Sequence, residues 1–375
     1  MKLRLLLLSM PFTVTAFVAN AQYEVGHTST MFYDSNRDRD VTTEIYYPAE
    51  TAGDDVELSM GEFPLVVFGH GFLMPWSDYS NIWNFLVPEG YIMAFVTTEA
   101  GFPDHAAYGE DLLFILNTLV AENAEESSLF YSHMNGREGI MGHSMGGGAT
   151  WLAASSALAG LETIVGLAPA ETTPSAIEAA LNVEMPVLVI SGDADGVTPP
   201  EDHHLPIYNN SASECKAFVS ILDGGHCGYA DDGSICDLGE FLFDGMSREE
   251  QQTITQTLLL YWLGYYLKNQ EDGSLAFEAY CNESEVLTLT TNCNFSSVEN
   301  NAHDLLTIYP NPTSNQVLVN GVFMNEITVL NSQGQVVFTF YPKTSTFSFD
   351  ISSLESGLYF VSINNSASVQ KVIVE

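Results

Sequence analysis

Gly139-Ile140-Met141-Gly142-His143-Ser144-Met145-Gly146-Gly147-Gly148-Ala149-Thr150 is the stretch from which the rest of the chain is read. Ile140, Met141 and Gly142 have the character of the end of a buried strand. From Met145 onward, Ala149, Trp151, Leu152 and Ala154 give a helix one apolar face. Ser144 therefore falls on a strand-to-helix turn, the context that turns a bare G-x-S-x-G match into a nucleophile elbow. A serine held on such a turn adopts strained backbone angles, so the positions two residues away must lack side chains. Gly142 and Gly146 meet that need. The same five-residue pattern arises by chance in glycine-rich loops, and the flanking strand and helix separate this instance from those. The free N–H groups and positive dipole end of the helix face any oxyanion that forms above Ser144.

Upstream, Phe63-Pro64-Leu65-Val66-Val67-Phe68 is a continuous apolar run, as expected of a parallel strand buried on two faces. It ends in Gly69-His70-Gly71-Phe72. A glycine-rich turn after a central strand aims a backbone N–H at the elbow, so Phe72 and Met145 are the expected oxyanion donors. His70 is read as a structural turn residue. Ser77 or Asp78 is placed to cap a helix carrying Tyr79, Trp83 and Leu86 on one face. Trp76 and Tyr79 are candidates for an apolar substrate groove, although aromatics at helical spacing more often belong to a core. A strand over 91–97 and a helix over 108–120 follow. Before all of these, residues 23–47 alternate in the manner of antiparallel strands.

Downstream, residues 163–167 and 185–192 read as further buried strands. The loop after the second, Asp193-Ala194-Asp195-Gly196-Val197-Thr198-Pro199, offers two carboxylates able to orient a histidine, with Asp195 the better placed. Read as a calcium loop, it lacks the carboxylate required at the twelfth position. His203 and His204 are expected to be solvated. Residues 216–222 read as the last core strand, and the glycine turn Asp223-Gly224-Gly225-His226 carries a histidine able to swing over Ser144. Ser144, Asp195 and His226 then stand in the chain order Ser, Asp, His. In such a constellation the imidazole moves the proton and the carboxylate fixes the tautomer. An acidic loop over 227–244 and a long helix over 249–266 follow. Alternating strands and helices imply an α/β fold, a mostly parallel sheet with helices on its two sides and its site at the carboxyl ends of the strands.

The whole chain sets further bounds. Its 375 residues, 46% hydrophobic, allow one large domain and one small one. Lys2 and Arg4, the apolar residues that follow and Ala19-Asn20-Ala21 make residues 1–21 an expected signal peptide. No later segment is long and apolar enough to span a bilayer, so a secreted or surface protein is expected. Five cysteines suit an oxidising compartment. Cys227–Cys236 and Cys281–Cys293 are the expected pairs, with Cys215 left over, although the sequence alone permits other connectivities. No C-x-x-C spacing points to a metal, and no cofactor is implied. There are 48 Asp plus Glu against 10 Lys plus Arg, a formal charge of −38. Only five acidic residues lie from position 301 onward, so the excess belongs to the first domain. Such a surface repels nucleic acid and anionic headgroups and disfavours anionic substrates; it reads as an adaptation to salt. A monomer acting on a neutral substrate is expected.

Gly142 to Gly148, the loop ending in Asp195 and Pro199, Leu205-Pro206-Ile207-Tyr208, Gly224-Gly225-His226 and the terminal cysteine pair together resemble the α/β-hydrolase branch of dienelactone-hydrolase-like esterases and cutinase-like polyester hydrolases. The resemblance covers most of residues 40–293. It implies carboxylic-ester hydrolysis through an acyl-enzyme, with Phe72 where polyester hydrolases usually place an aromatic oxyanion residue. Those enzymes commonly carry a groove tryptophan where this chain has Ala170, and the acidic loop after His226 is an insertion. These departures bear on polymer hydrolysis and leave ester hydrolysis intact. A cell-surface binding protein on a relic hydrolase fold is the reading from another class.

Residues 22–293 are thus expected to form the catalytic domain, and 294–304 a polar linker. Beyond it Leu306-Thr307-Ile308-Tyr309-Pro310-Asn311-Pro312-Thr313, the turn at 331–335, Gly357-Leu358-Tyr359-Phe360-Val361 and the terminal residues from Lys371 are similar to the type IX secretion sorting domain of Bacteroidota. The resemblance implies that residues 305–375 engage the type IX secretion machinery and cross the outer membrane. The residues themselves give the shape: short alternating strands between Asn/Gly turns, a small all-β sandwich.

Overall fold

The computed structural model describes residues 23–157, 160–240, 242, 244–295, 307–313, 315–324, 326–331, 335–342, 344–354, 356–363 and 369–374. The expected signal peptide over 1–21 and residues 296–304 of the expected linker lie outside them.

Ten strands form one sheet: β1 (Glu24–Asp34), β2 (Arg39–Ala49), β3 (Gly53–Asp54), β4 (Phe63–Gly69), β5 (Ile92–Val96), β6 (Met134–His143), β7 (Leu161–Leu167), β8 (Val187–Gly192), β9 (Lys216–Ile221) and β10 (Leu287–Thr291). Their order is β10-β9-β8-β7-β6-β4-β5-β2-β1-β3. The stretch from β9 to β5 is parallel throughout, and antiparallel strands flank it at each end. Strand periodicity divides each apolar run between two cores. Leu65, Val67, Ile140, Ile164 and Val189 pack on one face with Leu112, Ile115 and Trp151. Val66, Phe68, Met141, Val165 and Ile190 pack on the other with Trp83, Leu258 and Trp262. Burial on two faces is the reason β4, β5 and β8 read as unbroken apolar runs rather than alternating ones.

The helices are α1 (Ser80–Leu86), α2 (His105–Glu122), α3 (Met145–Ser155), α4 (Ala176–Ala179), α5 (His204–Asn210), α6 (Arg248–Lys268) and α7 (Asp272–Glu283). Their ends obey local chemistry. Asp104 accepts the Ala106 and Ala107 N–H groups at the start of α2, and Ser247 accepts the Glu250 N–H at the start of α6. Neither Ser77 nor Asp78 caps α1, because residues 76–79 form a 3₁₀ turn ahead of it. Its first N–H groups are taken instead by Asp231, whose carboxylate accepts from Ser80 N at 2.7 Å and Asn81 N at 3.2 Å.

Strand β9 is not the last of the sheet. Leu287-Thr288-Leu289-Thr290-Thr291 pairs antiparallel along it as β10. That strand also corrects the disulfides. Cys227 joins Cys236, but Cys293 joins Cys215, and Cys281 is a buried free thiol. The reason is register: Ala217 faces Thr291, so two residues further out Cys215 faces Cys293 across the ladder. Cys281 instead lies on the inner side of α7, against Phe277 and the second core, where burial pushes its thiol up to about 12. Opening the Cys215–Cys293 loop of 78 residues with Cys215→Ser is expected to lower stability by about 2–4 kcal/mol, read as a fall in denaturant midpoint. Cys281→Ser is expected to leave the bridge count unchanged, which a thiol assay under denaturing conditions checks.

The C-terminal region holds two antiparallel sheets. The first joins β11 (Thr307–Tyr309), β12 (Gln316–Met324) and β15 (Thr344–Asp350). The second joins β13 (Ile327–Asn331), β14 (Val336–Phe340), β16 (Gly357–Ile363) and β17 (Val369–Val374). Val317, Val319 and Phe349 from the first meet Val329, Val361 and Val372 from the second in a core of their own.

Candidate active site

Parallel strands end together, so the loops after β4, β6, β8 and β9 converge at one edge of the sheet. Ser144 occupies the bend between β6 and α3 at φ 55° and ψ −119°. Its N–H donates to Leu167 O at 3.0 Å, and its carbonyl accepts from Gly148 N and Ala170 N. The bend is possible only without side chains at its two flanks. A Cβ on Gly146 would meet Gly69 O at 2.1 Å, and one on Gly142 would meet Gly146 C at 2.4 Å. The close approach of α3 to the end of β4 sets the serine against the Gly69–Phe72 turn.

The structure brings together Ser144, His226 and Asp195. Ser144 Oγ stands 2.9 Å from His226 Nε2, and His226 Nδ1 stands 2.7 Å from Asp195 Oδ2. All three are buried to within a few per cent, with Ser144 the most open at 8%. Asp195 Oδ1 accepts the Val197 and Thr198 N–H groups at 2.9 and 2.7 Å. Burial opposes a charge on Asp195, but the His226 ring and the Thr198 N–H outweigh it and hold the carboxyl below its ordinary range. Asp193 takes another task, accepting the Asp223 N–H at 2.7 Å.

Phe72 and Met145 line the same cleft as Ser144, a hollow of about 450 Å³ also walled by Pro103, His105, Ala170, Glu171, Thr172 and Val197. Met145 opens α3, where an N–H has no intrahelical acceptor. Among the described residues no backbone carbonyl accepts the Phe72 or Met145 N–H.

Trp76 and Tyr79, the aromatic groove candidates, do not line this cleft. Trp76 joins an aromatic cluster with Tyr46, Trp83 and His27 beside the β1–β2 side of the sheet. Tyr79 is completely buried, because its hydroxyl is the post between two parts of the site. It accepts the Gly71 N–H at 2.8 Å and lies 2.9 Å from His143 Nδ1. His143 Nε2 in turn donates to the His226 carbonyl at 3.0 Å, which leaves Nδ1 bare to accept the Tyr79 hydroxyl proton. Burial keeps His143 neutral, well below the ordinary histidine range. His70 is buried with its ring between the Gly71 and Thr98 carbonyls, apart from the Ser144–His226–Asp195 hydrogen bonds.

Of the two histidines expected to be solvated, His203 is half-buried and His204 is not exposed at all. His203 Nδ1 accepts the Glu171 N–H at 2.9 Å. His204 is fully buried, 2.8 Å from Ser191 Oγ and 3.0 Å from Thr198 Oγ1, with Asp195 Oδ2 at 3.7 Å. His204 is buried because Pro199 to Asp202 turn back and start α5 against β8 rather than running out into solvent. The adjacent apolar Leu205 and Ile207 were the available signal that this loop folds inward.

A further support was not legible at all. Glu240, far along the acidic loop, accepts the His226 N–H at 2.5 Å through Oε1 and the Cys227 N–H at 2.8 Å through Oε2. The Cys227–Cys236 bridge and the Arg248 guanidinium, which bonds the Cys227 and Ala230 carbonyls and Asp237, fasten that loop beside the histidine.

Residues 28–249 match a family model described as PET hydrolase-like. The chain belongs to the PET hydrolase-like family. Residues 307–375 match a second model, described as a secretion system C-terminal sorting domain, so a type IX sorting domain follows the PET hydrolase-like one. Among curated proteins, the PET hydrolase-like region is similar to a bis(hydroxyethyl) terephthalate hydrolase of Streptomyces coelicolor, 29% identical over 48% of this chain and 54% of that protein. It is also similar to cutinase 1 of Thermobifida cellulosilytica, 25% identical over 48% of this chain and 63% of that protein. A cutinase of Thermobifida fusca is 25% identical over 48% and 54%. The chain thus spans little more than half the length of the curated relatives it matches. Sheet, elbow and converging loops are those of an α/β hydrolase, as the family requires.

Proposed function

We propose that this protein is an exported serine hydrolase that cleaves carboxylic esters through an acyl-enzyme. The observation that carries the reading is the unbroken chain from Ser144 Oγ through the His226 ring to Asp195, at 2.9 and 2.7 Å, on the wall of an open cleft. In this reading His226 Nε2 takes the Ser144 proton as Oγ attacks the ester carbonyl. The oxygen that gains charge is met by the Phe72 and Met145 N–H groups. His226 returns the proton to the departing alcohol, a water then repeats the sequence, and the acid leaves. Asp195 holds the Nδ1 proton throughout and stabilises the imidazolium.

The substrate class follows from charge. With a formal −38 on the chain and Glu171 in the cleft wall, a neutral ester enters more readily than a carboxylate-bearing one. The same charge supports a monomer and screening by salt. The sorting domain supports export through the type IX machinery to the surface or beyond. A polyester is the second reading, favoured by the apolar rim: Phe72 is 48% and Val197 40% exposed beside Ser144, and the relatives' names include cutinase and terephthalate-ester hydrolase.

The test is hydrolysis of a p-nitrophenyl ester series and bis(hydroxyethyl) terephthalate over a range of salt concentrations, with fluorophosphonate labelling of the serine. Turnover of neutral esters with label on Ser144 is the expected result. An inert, unlabelled protein would leave a binding protein on a hydrolase fold. Clearing of an aliphatic polyester emulsion decides for the second reading.

A further inference from the structure

Thr198 Oγ1 occupies an unusual position. It lies 3.0 Å from Asp195 Oδ2, 2.9 Å from His226 Nδ1 and 3.0 Å from His204 Nε2, with all four residues buried. Beyond it, His204 Nδ1 is 2.8 Å from Ser191 Oγ. A threonine hydroxyl has one proton and two lone pairs, and a neutral imidazole one donor and one acceptor, so the chain runs in one of two directions. If Thr198 gave its proton to His204, a lone pair would face the Asp195 anion in a dry site, which costs more than the bond returns. The anion therefore selects the other direction. Ser191 O–H donates to His204 Nδ1, His204 Nε2–H donates to Thr198 Oγ1, and Thr198 O–H donates to Asp195 Oδ2. Every donor in the chain then points toward the carboxylate, and each bond polarises the next.

We propose that His204 and Thr198 are positioning residues, a buried relay of hydrogen bonds that fixes Asp195 Oδ2 and tempers its basicity toward His226. The proposal rests on the reading of Ser144, His226 and Asp195 as the reacting set, and neither relay residue touches the ester. Burial supports a neutral relay, pushing His204 down to about 3, so the ring donates through Nε2 without titrating over the working range. The other titratable groups facing this network are His143 from β6, His203 beside His204, and Tyr229 and Glu240 from the segment after His226. Without the Thr198 hydroxyl the carboxylate loses a donor and becomes the stronger base. The imidazolium is then held more tightly, so the acid limb of the kcat/KM profile moves to higher pH.

The experiment compares wild type, Thr198→Val, Thr198→Ser, His204→Leu and His204→Gln in p-nitrophenyl ester hydrolysis, normalised to fluorophosphonate-reactive sites. Ring ¹⁵N shifts of His204 in the full chain are read alongside. The valine and leucine variants are expected to lose roughly tenfold in kcat at unchanged KM, the worth of one hydrogen bond to an ion. Their acid limbs move up, whereas serine and glutamine, which keep the needed donors, restore the rate and the profile. The ¹⁵N shifts are expected to report the Nε2–H tautomer. Variants that match wild type in kcat and pH profile, even if they melt lower, overturn the proposal alone. An Nδ1–H tautomer, or a His204 ring that titrates between pH 5 and 8, does the same. A wild type inert toward every ester removes the reading of the site and the relay's purpose with it.

Discussion

Ser144→Ala is expected to lower kcat for a neutral ester by about 10⁵ to 10⁶-fold while leaving the thermal midpoint in place. The size follows from position. Ser144 Oγ is the atom 2.9 Å from His226 Nε2, and removing it leaves the imidazole with nothing to activate except water. The residual rate would come from the Phe72 and Met145 N–H groups and the cleft, which the substitution leaves untouched. Folding is spared because the bonds that hold the bend use the Ser144 backbone: its N–H to Leu167 O and its carbonyl to the Gly148 and Ala170 N–H groups. A variant that keeps a hundredth of the wild-type rate would take Ser144 out of the chemistry. A variant that loses its rate only by unfolding would show as a drop in midpoint.

Gly146→Ala is expected to damage the fold and the site together. The new methyl would stand 2.1 Å from Gly69 O and 2.2 Å from Gly69 C, backbone atoms with no rotamer by which to yield. Either α3 or the end of β4 must shift. The cost is above about 3 kcal/mol, the upper range for overpacking. For a domain of this size that lowers the midpoint by roughly 6–12 °C. Because β4 feeds the turn carrying Phe72, labelling of Ser144 by a fluorophosphonate should slow as well. Gly101→Ala is the control, since nothing lies within 4 Å of its added Cβ. Equal melting of the two variants would mean that the elbow tolerates a side chain there.

The parts of this molecule that could be read from sequence are those fixed by local pattern. Strands β4, β5 and β8 announce themselves because burial on two faces leaves no polar position in them. The elbow is legible because its strain demands glycine at two fixed offsets. What escaped was set by partners far along the chain. Strand β10 has alternating Leu and Thr and stands behind two helices, so only its pairing with β9 marks it as a strand of the sheet. With β10 hidden, nothing aligned Cys215 with Cys293, and nearness in sequence favoured Cys281. Asp231 capping α1 and Glu240 gripping His226 are carboxylates in an acidic run whose neighbours look the same on paper. Tyr79 reads as core or groove aromatic alike, and nothing in its neighbours announces that its hydroxyl ties Gly71 to His143.

The Cys215–Cys293 staple has a mechanical corollary. Any pull on the C-terminal region, from a translocating machine or a surface anchor, meets Phe295 in the second core and then Cys293, just past β10. Without the bridge that load would peel β10 from β9 one rung at a time, beginning where Asn292 and Lys216 are bonded and passing next to the pair Thr291 and Ala217. With it, tension passes through sulfur to the start of β9 before the first rung is strained, and the zipper never starts to open.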